Sequence, residues 1–153
     1  MKLHTLIGLA LLVLIGACEK DDITTKPKIT FVSASTDFVP LDADLSFILE
    51  FSDKEGDLSS PIIVIKESSS CLDAGFEDSV TWAFPDIPGT KNTDGELEIK
   101  IDGMVKLNRF RCVPSPYAPD ADTVETAIFK FVIKDDAGNY SDTAASIPIT
   151  IAK

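Results

Sequence analysis

Histidine is almost missing from this 153-residue chain: the one copy, His4, sits in an apolar leader, and nothing after it carries an imidazole. That excludes Ser-His and Cys-His nucleophilic pairs, zinc sites built on imidazole, and the usual general base near neutral pH. Positive charge is scarce as well. Fourteen Lys and Arg stand against 25 Asp and Glu, a formal charge of −11, so nucleic acid and anionic lipid are poor partners, and cations or basic surfaces are better ones. Apolar residues at helical spacing are missing outside the leader, which argues against any helical architecture. No nucleophile elbow and no zinc-binding helix motif is present. The reading is therefore not an enzyme, although the plentiful carboxylate pairs leave a small hydrolase as one alternative.

The start of the chain is informative. Met1-Lys2-Leu3-His4 carries one positive charge, and Thr5 to Ile15 is an uncharged apolar run. A run of that length is too short to span a bilayer, which takes roughly 20 residues; it fits the core of an export signal. It ends in Ile15-Gly16-Ala17-Cys18, which resembles a bacterial lipobox: an aliphatic residue, two small ones that let a peptidase reach the bond, and the cysteine that takes the lipid. The expectation is removal of residues 1–17, acylation of Cys18, and a membrane anchor held by several acyl chains at about 0.8 kcal/mol per buried CH₂. Loss of Lys2 leaves 13 basic residues against 25 acidic, a net of −12. Lys20, Asp21 and Asp22 follow the cysteine and resemble the acidic export signal of Bacteroidetes-type lipoproteins, which implies display on the outer face of the outer membrane. The other reading of residues 18–27 is a plain solvated tether.

From residue 28 to 153 nearly every segment has period two, the mark of half-buried strands. Ile29 to Val32 opens the domain. Leu45, Phe47, Leu49 and Phe51 share a face, as do Ala127, Phe129, Phe131 and Ile133. Ile62 to Ile65 reads as a strand buried on both sides. Val80, Trp82 and Phe84 alternate with polar or small neighbours, and core packing is the favoured role for Trp82. Glu96 to Ile101 is the cleanest alternation, with Asp102-Gly103 turning into Val105-Lys106-Leu107. In the last strand Ile147, Ile149 and Ile151 are expected to point inward, and Pro148 requires an edge or a bulge. Seven or eight strands with frequent turns predict an all-β antiparallel sandwich of immunoglobulin-like type, with a jelly roll as the rival. Cys71 and Cys112 pair most simply as one disulfide outside the cytoplasm, with free thiols as the other reading.

Two segments carry a family resemblance. Phe51-Ser52-Asp53-Lys54-Glu55-Gly56-Asp57-Leu58 and Val132-Ile133-Lys134-Asp135-Asp136-Ala137-Gly138-Asn139-Tyr140-Ser141-Asp142 resemble loop signatures of bacterial immunoglobulin-like and cadherin-like surface domains. The resemblance implies a surface role and places both loops at one end of the sandwich. Asp53, Glu55 and Asp57 alternate around Gly56, and with Asp135, Asp136 and Asn139 they offer hard oxygen ligands for one Ca²⁺. The same residues are also what β-turns select, so ordinary turns are the competing reading. Tyr117, in a Pro-rich stretch, and Tyr140 are candidates for stacking a sugar ring. Ser79, Thr123 and Thr143 each follow Asp and precede an aliphatic residue, resembling O-glycosylation acceptors of exported proteins in that bacterial group. The expected function is a lipid-anchored envelope protein with a non-catalytic binding or adhesion domain. A structural accessory subunit of a polysaccharide-uptake complex is the alternative.

Overall fold

A computed structural model of the chain describes residues 25–68, 77–85, 94–103 and 124–152. Among them there is no helix, and nine strands form two sheets. The first sheet has the order β1 (Lys28–Ala34), β3 (Leu45–Ser52), β6 (Asp94–Ile101), all antiparallel. The second has the order β2 (Phe38–Val39), β9 (Ile149–Ala152), β7 (Val124–Val132), β4 (Ile62–Ser68), β5 (Glu77–Trp82), with β8 (Ala144–Ala145) also on β7. The chain leaves the first sheet after β1 and joins the second as β2, which runs parallel to β9. The expected seven or eight strands become nine because β2 has only two residues, too few for a period, and because the last strand is split.

The two sheets face each other across the apolar rows read from the sequence, giving a β-sandwich. Leu45, Phe47 and Leu49 of β3 and Phe129 and Phe131 of β7 are fully buried. The ring of Phe47 lies 5.0 Å from both Phe129 and Phe131, so one side chain joins the sheets. Phe51 meets Phe84 edge-on at 5.1 Å. Each such ring contributes about 1.5–3 kcal/mol when fully buried. Trp82 pairs with Ile62 across β5 and β4 and packs, partly buried, against this core.

Two irregularities decide which apolar residues stay outside. The register of β1 on β3 slips between Phe31 and Ser33, leaving Val32 as an extra residue 46% exposed. In the last strand Ala145 pairs with Lys130 and Ile149 with Ala127, so Ser146, Ile147 and Pro148 face only Ile128 and Phe129. This is the bulge Pro148 demanded. It also corrects one expectation: Ile149 and Ile151 are buried, but Ile147 is 47% exposed, because the inserted residue shifts the alternation by one. Ser146 takes the inward place instead. Its hydroxyl accepts the Phe129 N–H at 3.0 Å, and its own N–H donates to the Phe129 carbonyl at 2.8 Å.

Inward positions at the opposite end of the sandwich from the acidic loops are polar. Strand β4 turns Ile62, Val64, Lys66 and Ser68 to the core, and β7 turns Glu125, Ala127, Phe129 and Phe131. Lys66 and Glu125, both fully buried, form an ion pair. Beside them Lys130 pairs with Glu67 on the outer face. Gly103 packs so closely on the turn at Asp42 and Ala43 that a β-carbon there would lie 2.2 Å from the Ala43 carbonyl oxygen. The predicted hairpin beyond Gly103, and Cys71 and Cys112, lie outside the described residues.

Candidate metal centre

Two turns build the acidic end. Strand β3 ends at Ser52, and Asp53 to Asp57 makes a tight loop that Gly56 permits with φ 66°. Strand β7 ends at Val132, and a second loop is closed by the Lys134–Tyr140 bridge, with Gly138 at φ 96°. The loops are joined through backbone: Asp136 N–H donates to the Asp57 carbonyl at 3.1 Å. Each loop is further fixed by its own first aspartate. Asp53 Oδ2 accepts the Asp57 N–H at 3.0 Å; Asp135 accepts Asn139 N–H at 2.7 Å and Asn139 Nδ2 at 2.8 Å.

Asp53, Asp57 and Asp135 converge, each presenting an oxygen within 4.8 Å of the others. Asp53 is 3% exposed and Asp135 2%, in a chain with ample surface to place carboxylates on. Oδ1 of Asp53 and Oδ1 of Asp57 are both buried with no hydrogen-bond partner. A buried carboxylate oxygen without a donor is costly, so something must offset its charge. Burial pushes the Asp57 carboxyl above the usual carboxylate range, helped by its hydrogen bond with Asp53 and by the charges of Asp53 and Asp135. Burial acts the same way on Asp135. There it is outweighed by the side-chain and backbone hydrogen bonds of Asn139 and the N–H groups of Gly138 and Ala137, and the carboxyl stays below its ordinary value. A proton on Asp57, or a cation among all three, relieves the site.

Three converging carboxylates suit a hard cation, which takes oxygen ligands at about 2.3–2.6 Å. The six-residue ligand set expected from the sequence does not assemble. Glu55, at the exposed tip of its loop, turns to Thr25 and accepts from its N–H at 3.1 Å and its hydroxyl at 2.5 Å. Those bonds hold its carboxyl below the usual value. Asp136 is exposed and accepts the Ser59 hydroxyl. Asn139 orients Asp135 through its amide nitrogen. In so tight a loop neighbouring side chains cannot all point inward, so three carboxylates converge and three groups brace the frame.

Thr25 and Lys26 were invisible to sequence reasoning, since their partners lie far along the chain. Lys26 Nζ binds Asp142 at 2.8 Å, which lowers that carboxyl. Beside them Lys26, Lys28, Ser52 and Lys54 line an open cleft of about 300 Å³. Tyr140 is half exposed, with Lys134 Nζ 5.2 Å from its ring centroid. Ser79 and Thr143 are exposed, as an acceptor for a glycan needs to be. Cys18, Lys20, Asp21, Asp22, Tyr117 and Thr123 lie outside the described residues.

No protein-family model matches the chain, and no curated protein matches it. Among solved structures, the sporulation control protein Spo0M from Bacillus subtilis is similar at a TM-score of 0.40 and 9% identity, over 84% of this chain and 50% of that one. The chain thus spans half the length of that protein, and a likeness so distant says nothing of its function.

Proposed function

We propose that this protein is a lipid-anchored module of the cell envelope, displayed at the surface, that binds rather than catalyses and takes a calcium ion at its acidic end. The observation that carries the cation is the pair of buried, partnerless oxygens on Asp53 and Asp57, set against Asp135. A divalent ion would offset charge on all three carboxylates, where a proton on Asp57 offsets that of one. The anchor rests on the lipobox ending at Cys18, and surface display on Lys20, Asp21 and Asp22. The sandwich is read as immunoglobulin-like: a three-stranded sheet β1-β3-β6 lies against a sheet ordered β2-β9-β7-β4-β5, and the chain crosses from the first to the second between β1 and β2.

Calorimetric titration of the whole chain with Ca²⁺, after stripping with EDTA, tests the cation. One saturable site is expected, lost in Asp57→Ala. No binding in the unaltered chain sinks that part of the reading. Labelled palmitate fed to cells tests the anchor: incorporation that disappears in Cys18→Ser supports it. Survival of the domain when intact cells are treated with protease removes the surface placement.

A further inference from the structure

The outer face of the second sheet, turned away from the core, is apolar. Strand β4 places Ile63 and Ile65 on it, both half-buried, and β7 places Ile128 and the exposed Val124. The bulge that turns Ser146 inward sets Ile147, 47% exposed, on this face opposite Ile128, and Phe38 extends the face on β2. Single exposed apolar residues are ordinary on any protein, but a contiguous set marks a contact surface. The run Ile62 to Ile65 has the composition of a strand covered on both sides. Among the described residues the two sheets are the only layers, so just one of its sides is covered. Within the apolar set stand Lys130 and Glu67, paired with each other. Lys130 lies opposite Ile65 and Glu67 opposite Ile128, so the two charges are set diagonally across β7 and β4.

We propose that this face packs against the same face of a second copy of the chain. The charges select that occupant. A two-fold axis running along the strands between β4 and β7 exchanges the two strands, which carries Lys130 of each copy toward Glu67 of the other while the isoleucines meet. A chain of net charge −11 repels its own kind over most of its surface; here one charge of each sign makes the face complementary to itself. An axis in that direction also leaves both copies with Lys28 at the same end, so two chains anchored in one membrane can pair. Four strands about 4.8 Å apart, over about 25 Å of length, offer roughly 500 Å² per copy. That is the low end for a specific interface, and the pair is accordingly weak and reversible. The pairing names a partner for the binding role above and is independent of the calcium site.

Sedimentation equilibrium of the whole chain in density-matched micelles, with EDTA present, tests the pair whether or not the calcium and lipid readings hold. A reversible monomer–dimer equilibrium is expected. Ile147→Glu, at an exposed position, is expected to weaken it at least about tenfold, because a charge set against apolar surface loses its water. Lys130→Glu and Glu67→Lys should each weaken it too, since like charges then face each other. A mixture of these two variants should dimerise again, as each restores the other's missing charge; misfolded chains would not recover on mixing. If the unaltered chain stays monomeric as its concentration rises, the pairing is wrong. If it dimerises and Ile147→Glu dimerises equally well, another surface is used and the proposal is wrong. If the mixture dimerises no better than either variant alone, the two-fold arrangement falls.

Discussion

The ammonium of Lys66 is paired with the carboxylate of Glu125 inside the sandwich, where solvent reaches neither side chain. Removing one partner takes away the opposite charge that faces the other in the core, which costs about 3–5 kcal/mol. Lys66→Met and Glu125→Leu are each expected to lower stability by that amount in denaturant titrations. The double substitution is expected to recover most of the loss, because two apolar side chains of similar size can replace a buried pair at little cost. A double variant no more stable than the singles would mean that the pair holds more of this end together than its two charges.

Asp57→Asn is expected to act in opposite directions with and without calcium. In EDTA it removes one of three crowded charges and should raise the melting temperature by a few degrees, about 1 kcal/mol for a domain of this size. In excess calcium it removes a ligand. The unaltered chain, stabilised by about 2.7 kcal/mol at 100 times its Kd, should then melt above the variant. Parallel shifts under both conditions would contradict the site.

The acidic end also predicts a pH profile. The Asp57 carboxyl is raised on folding, so the stability tied to its protonated form is present at low pH and lost as pH rises through its folded value. The Asp135 carboxyl is lowered, so its contribution is present above the ordinary aspartate value and lost as pH falls through its folded one. In EDTA, stability is therefore expected to rise as pH drops from neutral toward about 4, then fall in stronger acid. Asp57→Asn should flatten the first limb and leave the second. Melts between pH 3 and 7, a span bracketing the ordinary carboxylate range, check both.

Ser146→Ala removes the hydroxyl that accepts the Phe129 N–H in the bulge. The expected cost is about 1–3 kcal/mol, the penalty of a buried donor losing its acceptor. Ser146→Thr keeps the hydroxyl and should keep more of the stability. Equal losses would assign the cost to packing.

Gly103→Ala sets a β-carbon against main chain, the Ala43 carbonyl at 2.2 Å. Backbone cannot yield as a long side chain does, and about 1–3 kcal/mol of destabilisation is expected. A melt unchanged by the substitution would show that the turn at Asp42 moves freely.

The rows through Phe47 and Phe129 were legible because a strand with one buried face writes itself as alternation, and nothing interrupts it there. The meeting of the two acidic loops was legible too, since turns that follow alternate strands of a sandwich share an end. Individual directions were not. Ile147 has the right spacing to be inward, and only the pairing with Lys130 and Ala127 reveals the extra residue that turns it out. Glu55 has the spacing of a ligand, but its partner Thr25 is thirty positions away. Lys66 follows an apolar run and looks like its solvated end. Its burial depends on Glu125, on a strand that β4 meets only in the folded chain.

The parallel pairing of β2 with β9 has a mechanical consequence. A pull entering through the tether and leaving along β9 would drag these two strands past each other lengthwise, loading their hydrogen bonds at once, with Thr150 N–H to the Asp37 carbonyl at 2.8 Å among them. An antiparallel pair gripped at neighbouring ends would instead open one bond at a time, like a zip. For a domain held at both ends, that difference sets how much tension it bears before it begins to unravel.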